Sequence, residues 1–270
     1  MPAKYVSVDA LATLVHYRGA TTLPDQPPDT SKGAAILCLH DAGGNGNVFA
    51  PLLDVLAERH SPLAYDQPGH GRSAGLDSLG DITAMARHAY AAAAAMKLSA
   101  PVVLGDGLGA AVALEAAVSN PGWPRALVLT GGATAKFDLP PDTVELLGRI
   151  TAGKARREFD RSGYAPDTAR TVFEKAFAEW LKTDPRATLG DRQAQVSWDA
   201  NGRLGAVTCP VLIVVGEHEE APSRVAAQAL AGQLANAQVV QLAGAGRRGV
   251  VEQPEGLAAL VKDFLGGIGS

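Results

Sequence analysis

The chain has 270 residues, 47% of them hydrophobic, and a formal net charge of −4. It is long enough to bury a sizeable core, and its mixed charges form no basic stripe or polybasic run of the kind that binds nucleic acid or a membrane surface. Two cysteines, Cys38 and Cys209, are too few and too far apart for a disulfide framework or a cysteine metal site.

The start, Met1-Pro2-Ala3-Lys4-Tyr5, lacks the apolar stretch of a signal peptide, and no apolar run is long enough to span a bilayer. Each cysteine sits in or beside an apolar run and reads as a small buried hydrophobe. Together these features predict a cytoplasmic protein.

In chain order, residues 4–8 and 12–18 alternate like an antiparallel pair at a sheet edge, and the Pro-, Asp- and Thr-rich stretch 21–33 predicts a loop. Ala34–His40 is a continuous apolar run, as in a central strand. A helix over 48–59 and a short strand over 63–66 follow, then a long Ala-rich helix over 77–98. A strand over 101–104, a helix over 108–119 and a strand over 125–130 complete the first half.

Residues 134–205 contain no good strand. They carry helical patterns broken by Pro140-Pro141, Gly153, Pro166 and Pro185, and predict a helical lid. Alternation then resumes with a strand over 211–215, a helix over 223–234, a strand over 238–242 and a helix over 252–265, before a loose tail, Gly-Gly-Ile-Gly-Ser. This order predicts an α/β fold: a mostly parallel central sheet of about eight strands, with helices on both faces. Residues 1–133 and 206–270 form its core, and 134–205 the inserted lid.

Several motifs appear in a fixed order. They are Leu39-His40-Asp41-Ala42-Gly43-Gly44, Asp66-Gln67-Pro68-Gly69-His70-Gly71-Arg72-Ser73, Leu104-Gly105-Asp106-Gly107-Leu108-Gly109-Ala110, Pro210–Glu219, and Ala243-Gly244-Ala245-Gly246-Arg247 followed by Glu252-Gln253-Pro254-Glu255. In these segments the chain resembles the α/β-hydrolase superfamily over nearly its whole length. The resemblance implies an oxyanion loop at residues 39–44, a nucleophile elbow at 105–109, a triad acid at Glu219 and a triad histidine at position 247.

The departures fall on the chemistry. Gly107 stands in the nucleophile's place and Arg247 in the histidine's, while Asp41 replaces a glycine of the oxyanion loop. Glycine forms no acyl-enzyme, and a guanidinium relays no proton. A charge at Asp41 would oppose an ester's oxyanion. Asp106 becomes a nucleophile only if the elbow slips by one residue, which would waste Gly105 and Gly109.

The catalytic candidates are therefore Asp41, Asp106, Glu219, Arg247 and His218, with His40, Ala42, Gly107 and Leu108 as substrate-contacting positions. Arg248 is expected to be solvated.

Paired carboxylates beside an arginine suit proton transfer on a small organic molecule, of isomerase, cyclase, lyase or hydratase type. Two other readings stand beside this one. One is a silent pseudo-hydrolase that binds a ligand or partner, and the other a hydrolase in which Asp106 or His218 activates water. No metal or cofactor is implied: there is no dinucleotide-binding glycine fingerprint, and Gly43-Gly44-Asn45-Gly46 lacks a phosphate loop's lysine. The expected partner is a small molecule, not nucleic acid or membrane; the sequence sets no oligomeric state.

Overall fold

The computed structural model describes residues 2–23 and 26–268. Residues 24–25 of the predicted loop and 269–270 of the predicted tail lie outside the described residues.

Among the described residues, eight strands form one sheet in the order β1-β2-β4-β3-β5-β6-β7-β8. β1 (Ala3–Val8) and β2 (Leu11–Tyr17) form an antiparallel hairpin. Its two-residue turn, Asp9-Ala10, has positive φ at both positions, which matches the twist of the strands it joins.

β3 (Ala35–Leu39), β4 (Ser61–Tyr65), β5 (Val102–Asp106), β6 (Ala126–Thr130), β7 (Val211–Gly216) and β8 (Ala237–Leu242) run parallel to one another, and β2 meets β4 antiparallel. β4, β5, β6 and β7 are buried at every position, because helices cover both faces. Edge strands β1 and β8 keep exposed residues.

One core layer holds α2 (Ile82–Ala95), α3 (Leu108–Ser119) and α7 (Ala221–Ala231). The other holds α1 (Ala50–Leu56) and α9 (Pro254–Gly267). Each fully buried Leu, Val or Ile in these layers contributes roughly 1.5–3 kcal/mol relative to an exposed one.

Several boundaries differ from the sequence expectation for identifiable reasons. α2 starts at Ile82 rather than near 77, because the Asp81 carboxylate accepts a hydrogen bond of 2.7 Å from Ala84 N–H and caps the helix there. The expected helix over 48–59 divides into a 3₁₀ turn over Gly46–Phe49 and α1, with Pro51 in the first turn of the latter. The expected helix over 252–265 divides into α8 (Gly249–Glu252) and α9. Pro254 lacks an N–H and disfavours helical geometry at Gln253, whose φ is −135° and ψ 57°.

Between β6 and β7 the chain carries α4 (Thr143–Thr151), α5 (Arg170–Trp180) and α6 (Pro185–Ser197). Both cysteines are free, and burial raises the thiol pKa of each, Cys209 to about 11. No helix among the described residues is long and apolar enough to cross a membrane.

β4 lies on one side of β3 and β5 on the other, so the chain changes direction across the sheet between β3 and β5. A crevice opens at the carboxyl ends of strands at such a point. Asp41 follows β3 and Asp106 ends β5, and the two flank this crevice.

Candidate active site

The turn from β5 into α3 sets the geometry. Gly107 adopts φ 54° and ψ −112°, a left-handed conformation that L side chains rarely take. Its N–H donates to Thr130 O (3.0 Å) on β6. A Cβ at Gly105 would overlap the backbone of Gly109, and one at Gly109 would overlap Leu39 O. Close packing thus demands the two outer glycines and leaves Gly107 at the apex. Asp106 is the last residue of β5, not the apex, so the elbow has not slipped and Asp106 is not in the nucleophile's place.

The apex space is filled from another loop. A Cβ at Gly107 would overlap the carboxylate of Asp41. Asp41 Oδ1 accepts the Leu108 N–H at 2.8 Å, and Asp41 Oδ2 accepts from Arg248 Nη1 at 2.8 Å. Arg247 Nη2 lies 3.6 Å from the same oxygen. Burial alone would raise the Asp41 pKa. The guanidinium of Arg248, then those of Arg247 and Arg192, and the Leu108 N–H reverse this and hold it well below the usual carboxylate range. Asp41 is therefore an anion whose charge is compensated on the spot.

Asp106 is the opposite case. It is buried, and its Oδ1 has no hydrogen-bond partner. Burial first, and the neighbouring Asp41 charge second, push its pKa up to about 7. Two adjacent carboxyls are thus driven apart, one permanently ionised and one able to exchange a proton near neutrality.

Glu219, in the turn after β7, is buried. It accepts from Gly216 N–H at 2.9 Å and from the Ser223 hydroxyl. A Cβ at Gly132 would lie 3.2 Å from Arg247 Cδ and 3.5 Å from Glu219 Oε1, so both side chains border the end of β6.

Asp41 and Asp106 line one cavity of about 740 Å³ with Ala42, Arg248, Tyr164 and Arg192. The β6–β7 insertion supplies an apolar wall through Leu146, Leu147, Ile150 and Trp180. A larger hollow of about 910 Å³ lies alongside, lined by Arg156, Arg157, Phe159 and Phe177 among others. It holds neither carboxyl, so the chemistry belongs to the smaller cavity.

The insertion is tied to the oxyanion loop. Asp191 Oδ2, on α6, accepts from Gly43 N–H at 2.8 Å and lies 2.8 Å from His70 Nε2. His70 Nδ1 lies 3.0 Å from Pro68 O. Both ring nitrogens therefore face acceptors, an arrangement that the imidazolium satisfies and neither neutral tautomer does. Burial alone would lower the His70 pKa, but Asp191 outweighs it and the pKa is raised. Thr183 Oγ1 adds a 3.0 Å bond to Gly44 O, and Asn47 Nδ2 one of 2.8 Å to Glu179 Oε1.

Several sequence expectations need correction. His218 is exposed and does not line the cavity, because the turn after β7 points Glu219 inward and its neighbour outward. His40 does not contact the cavity either. It is fully buried, with Nδ1 bonded to Asp41 O (2.9 Å) and Nε2 accepting from Gln67 N–H (3.1 Å), and burial lowers its pKa to about 4. It holds the loop that carries Asp41.

Leu108 spends its N–H on Asp41, and its side chain is in the core. Arg248, expected to be solvated, makes the shorter contact with Asp41, while Arg247 is the more exposed of the pair, at 35% against 22% for the side chain.

Arg192, Asp191 and Tyr164 were not singled out from the sequence. A signal exists for Asp191 alone: at helical spacing it shares the face of Ala187, Gly190 and Ala194, whose small residues let α6 pack closely, so a carboxylate there is buried and finds partners.

Comparisons with known proteins correct the reaction class. A segment of polyketide synthase ThaQ from Burkholderia thailandensis is 28% identical over 87% of this chain, which spans 12% of that protein. A pimeloyl-[acyl-carrier protein] methyl ester esterase from Stenotrophomonas maltophilia is 28% identical, with 88% of this chain and 95% of that protein covered. The same name recurs in Neisseria meningitidis and Xanthomonas campestris.

The crystal structure of the enol-lactonase from Burkholderia xenovorans matches with a TM-score of 0.80 at 19% identity, over 97% of this chain and 99% of that one. Relatives named for ester hydrolysis overturn the expectation of isomerase, cyclase, lyase or hydratase chemistry. The alternative of a hydrolase agrees with them. A family model described as "Alpha/beta hydrolase family" matches residues 36–260, and the chain belongs to that family and has its fold.

Proposed function

We propose that this protein is a hydrolase of a small carboxylic ester or related acyl compound, in which Asp106 activates water. The observation that carries this reading is the Asp106 carboxyl. It is buried, unpartnered at Oδ1, and poised near neutrality in a cavity it shares with ionised Asp41 and Arg248. A general base works best when its pKa lies near the working pH.

In the proposed step, ionised Asp106 takes a proton from a water whose oxygen bonds to the acyl carbon. The acyl–oxygen bond then breaks, and the leaving alkoxide recovers the proton from Asp106. The developing oxyanion is directed to the guanidinium of Arg248, with Arg247 behind it, because Asp41 already occupies the Leu108 N–H. Residues 134–205 act as the lid that keeps bulk water from the base. The names of the esterase relatives support an acyl substrate.

The test is turnover of a panel of methyl esters, thioesters and lactones, followed by one turnover in ¹⁸O-water. Hydrolysis should rise through about pH 7, and the label should enter the product acid in the first turnover. Asp106→Asn should lower kcat/KM by roughly 10²-fold or more. No hydrolysis above background across the panel, or full activity in Asp106→Asn, would overturn the proposal.

A further inference from the structure

The charges of the cavity are not evenly paired. Arg248 and Arg247 share Asp41. Arg192, on α6, lines the same cavity and is half-buried, yet among the described residues it forms no ion pair. It donates a hydrogen bond from Nη1 to a neutral acceptor, Gln195 Oε1, at 2.7 Å on its own helix.

Burial opposes its charge, and so do Arg247 and Arg248, while the already compensated Asp41 is its main attractive neighbour. A guanidinium does not shed its proton in a protein, so it keeps this cost when the cavity holds only water. Its backbone is nevertheless fixed. The preceding residue, Asp191, is fully buried and held by both His70 and the Gly43 N–H. A cation held in place without a partner beside a carboxyl able to activate water is an arrangement for receiving an anion.

We propose that Arg192 is the anchor for a carboxylate on the substrate, so that the protein takes acyl compounds carrying a free carboxylate at the end away from the scissile bond. This deepens the hydrolase reading and rests on it for the reaction, though not for binding. The planar fork of a guanidinium matches a carboxylate in two parallel hydrogen bonds, which a lysine does not reproduce. Leu146, Leu147 and Ile150 provide an apolar wall for the carbon chain between the two ends. A half-ester of a dicarboxylic acid has these features: one neutral acyl end, an apolar span and one anion.

The experiment separates binding from turnover. Isothermal titration of the full-length protein at pH 8 would compare hexanoate with methyl hexanoate, and adipate monomethyl ester with dimethyl adipate. Wild type should bind each carboxylate at least tenfold more tightly than its neutral partner. Arg192→Gln should abolish that preference while keeping the wild-type melting temperature to within a few degrees. Arg192→Lys should retain only part of it, and so serves as the second variant if the glutamine form folds poorly.

Equal binding of charged and neutral members by wild type would overturn the proposal. So would a preference that survives in Arg192→Gln, since Arg248 or the arginines of the insertion would then hold the anion. A preference lost in Arg192→Gln without any ester turnover keeps the anchor and removes the hydrolase reading. Wild-type turnover of charged half-esters no better than of neutral esters, and unchanged for both in Arg192→Gln, keeps the hydrolase reading and removes the anchor.

Discussion

Replacing Asp106 with asparagine should stabilise this protein, and the gain should depend on pH. The carboxyl moves from an ordinary value of 3.8 to about 7 because burial and the Asp41 charge oppose its ionisation. Each pH unit of displacement corresponds to about 1.4 kcal/mol, so holding an ionised Asp106 in the fold costs on the order of 4 kcal/mol. Below pH 4 both the folded and unfolded chains hold the proton, and the carboxyl makes no pH-dependent difference. Between pH 4 and pH 7 the unfolded chain releases it while the folded chain retains it, so stability falls as pH rises. Above pH 7 both are ionised and the loss is complete. Asparagine keeps the shape and carries no charge. Urea unfolding of both proteins at pH 4, 5, 6, 7 and 8 isolates the effect, because the other titrating groups cancel in the difference. The variant's advantage should grow from pH 4 and level off above pH 7, and activity should be lost as stability is gained. A difference independent of pH over that range would show that Asp106 is not a strained carboxyl, and the proposed base would have no basis.

The two arginines should separate cleanly. Arg248→Ala removes the 2.8 Å partner of a buried anion and should cost about 3 kcal/mol, whereas Arg247→Ala removes a longer contact from a side chain 35% exposed and should cost less than about 1 kcal/mol in the same unfolding assay. The reverse order would place the compensating charge on the wrong residue. Gly107→Ser should cost roughly 1–3 kcal/mol, from positive φ and from overlap with Asp41. Combined with Asp41→Ala it should cost less than the sum of the two single changes, because the overlap is gone; strict additivity would mean that the two residues do not compete for the same space.

Much of the scaffold is legible in the sequence because its signals are local. The apolar stretches at 34–40, 101–104 and 211–215 read as strands, which the sheet places at 35–39, 102–106 and 211–216, and the order of the motifs points to the family to which the chain belongs. Glycines at 105, 107 and 109 mark the turn by their spacing alone. The site was less legible, since its composition depends on which side chains meet across distant loops. Arg247 and Arg248 are equivalent as letters; the fold of the turn after β8 decides that the second makes the close contact. By residue type His218 is a candidate reagent and His40 a substrate-contacting position, but His218 is exposed, and His40 is engaged by Asp41 O and Gln67 N–H. Arg192 stands out only once α6 has been placed against residues 41–47, because the absence of a partner is a property of three-dimensional surroundings.

The elbow, the oxyanion loop and the arginine pair constrain one another. A serine lost from the apex would leave an empty notch, with the Leu108 N–H facing the cavity as before. Here the notch holds the Asp41 carboxylate, the Leu108 N–H is engaged at 2.8 Å, and two guanidinium groups balance the added charge. Glycine at 107 is then required by sterics, since any Cβ would displace the carboxylate, and Arg248 is required by electrostatics, since a buried anion without a partner is strongly destabilising. No single reversion repairs such a set. Restoring a side chain at 107 meets Asp41, and removing Asp41 leaves Arg248 uncompensated. Asp41 is ionised and held at both oxygens, which makes it a poor base, whereas Asp106 beside it has an unpartnered oxygen and a pKa near 7. A hydrolase built on this arrangement therefore has its reactive proton at the end of β5, one residue before the position where the family keeps its nucleophile.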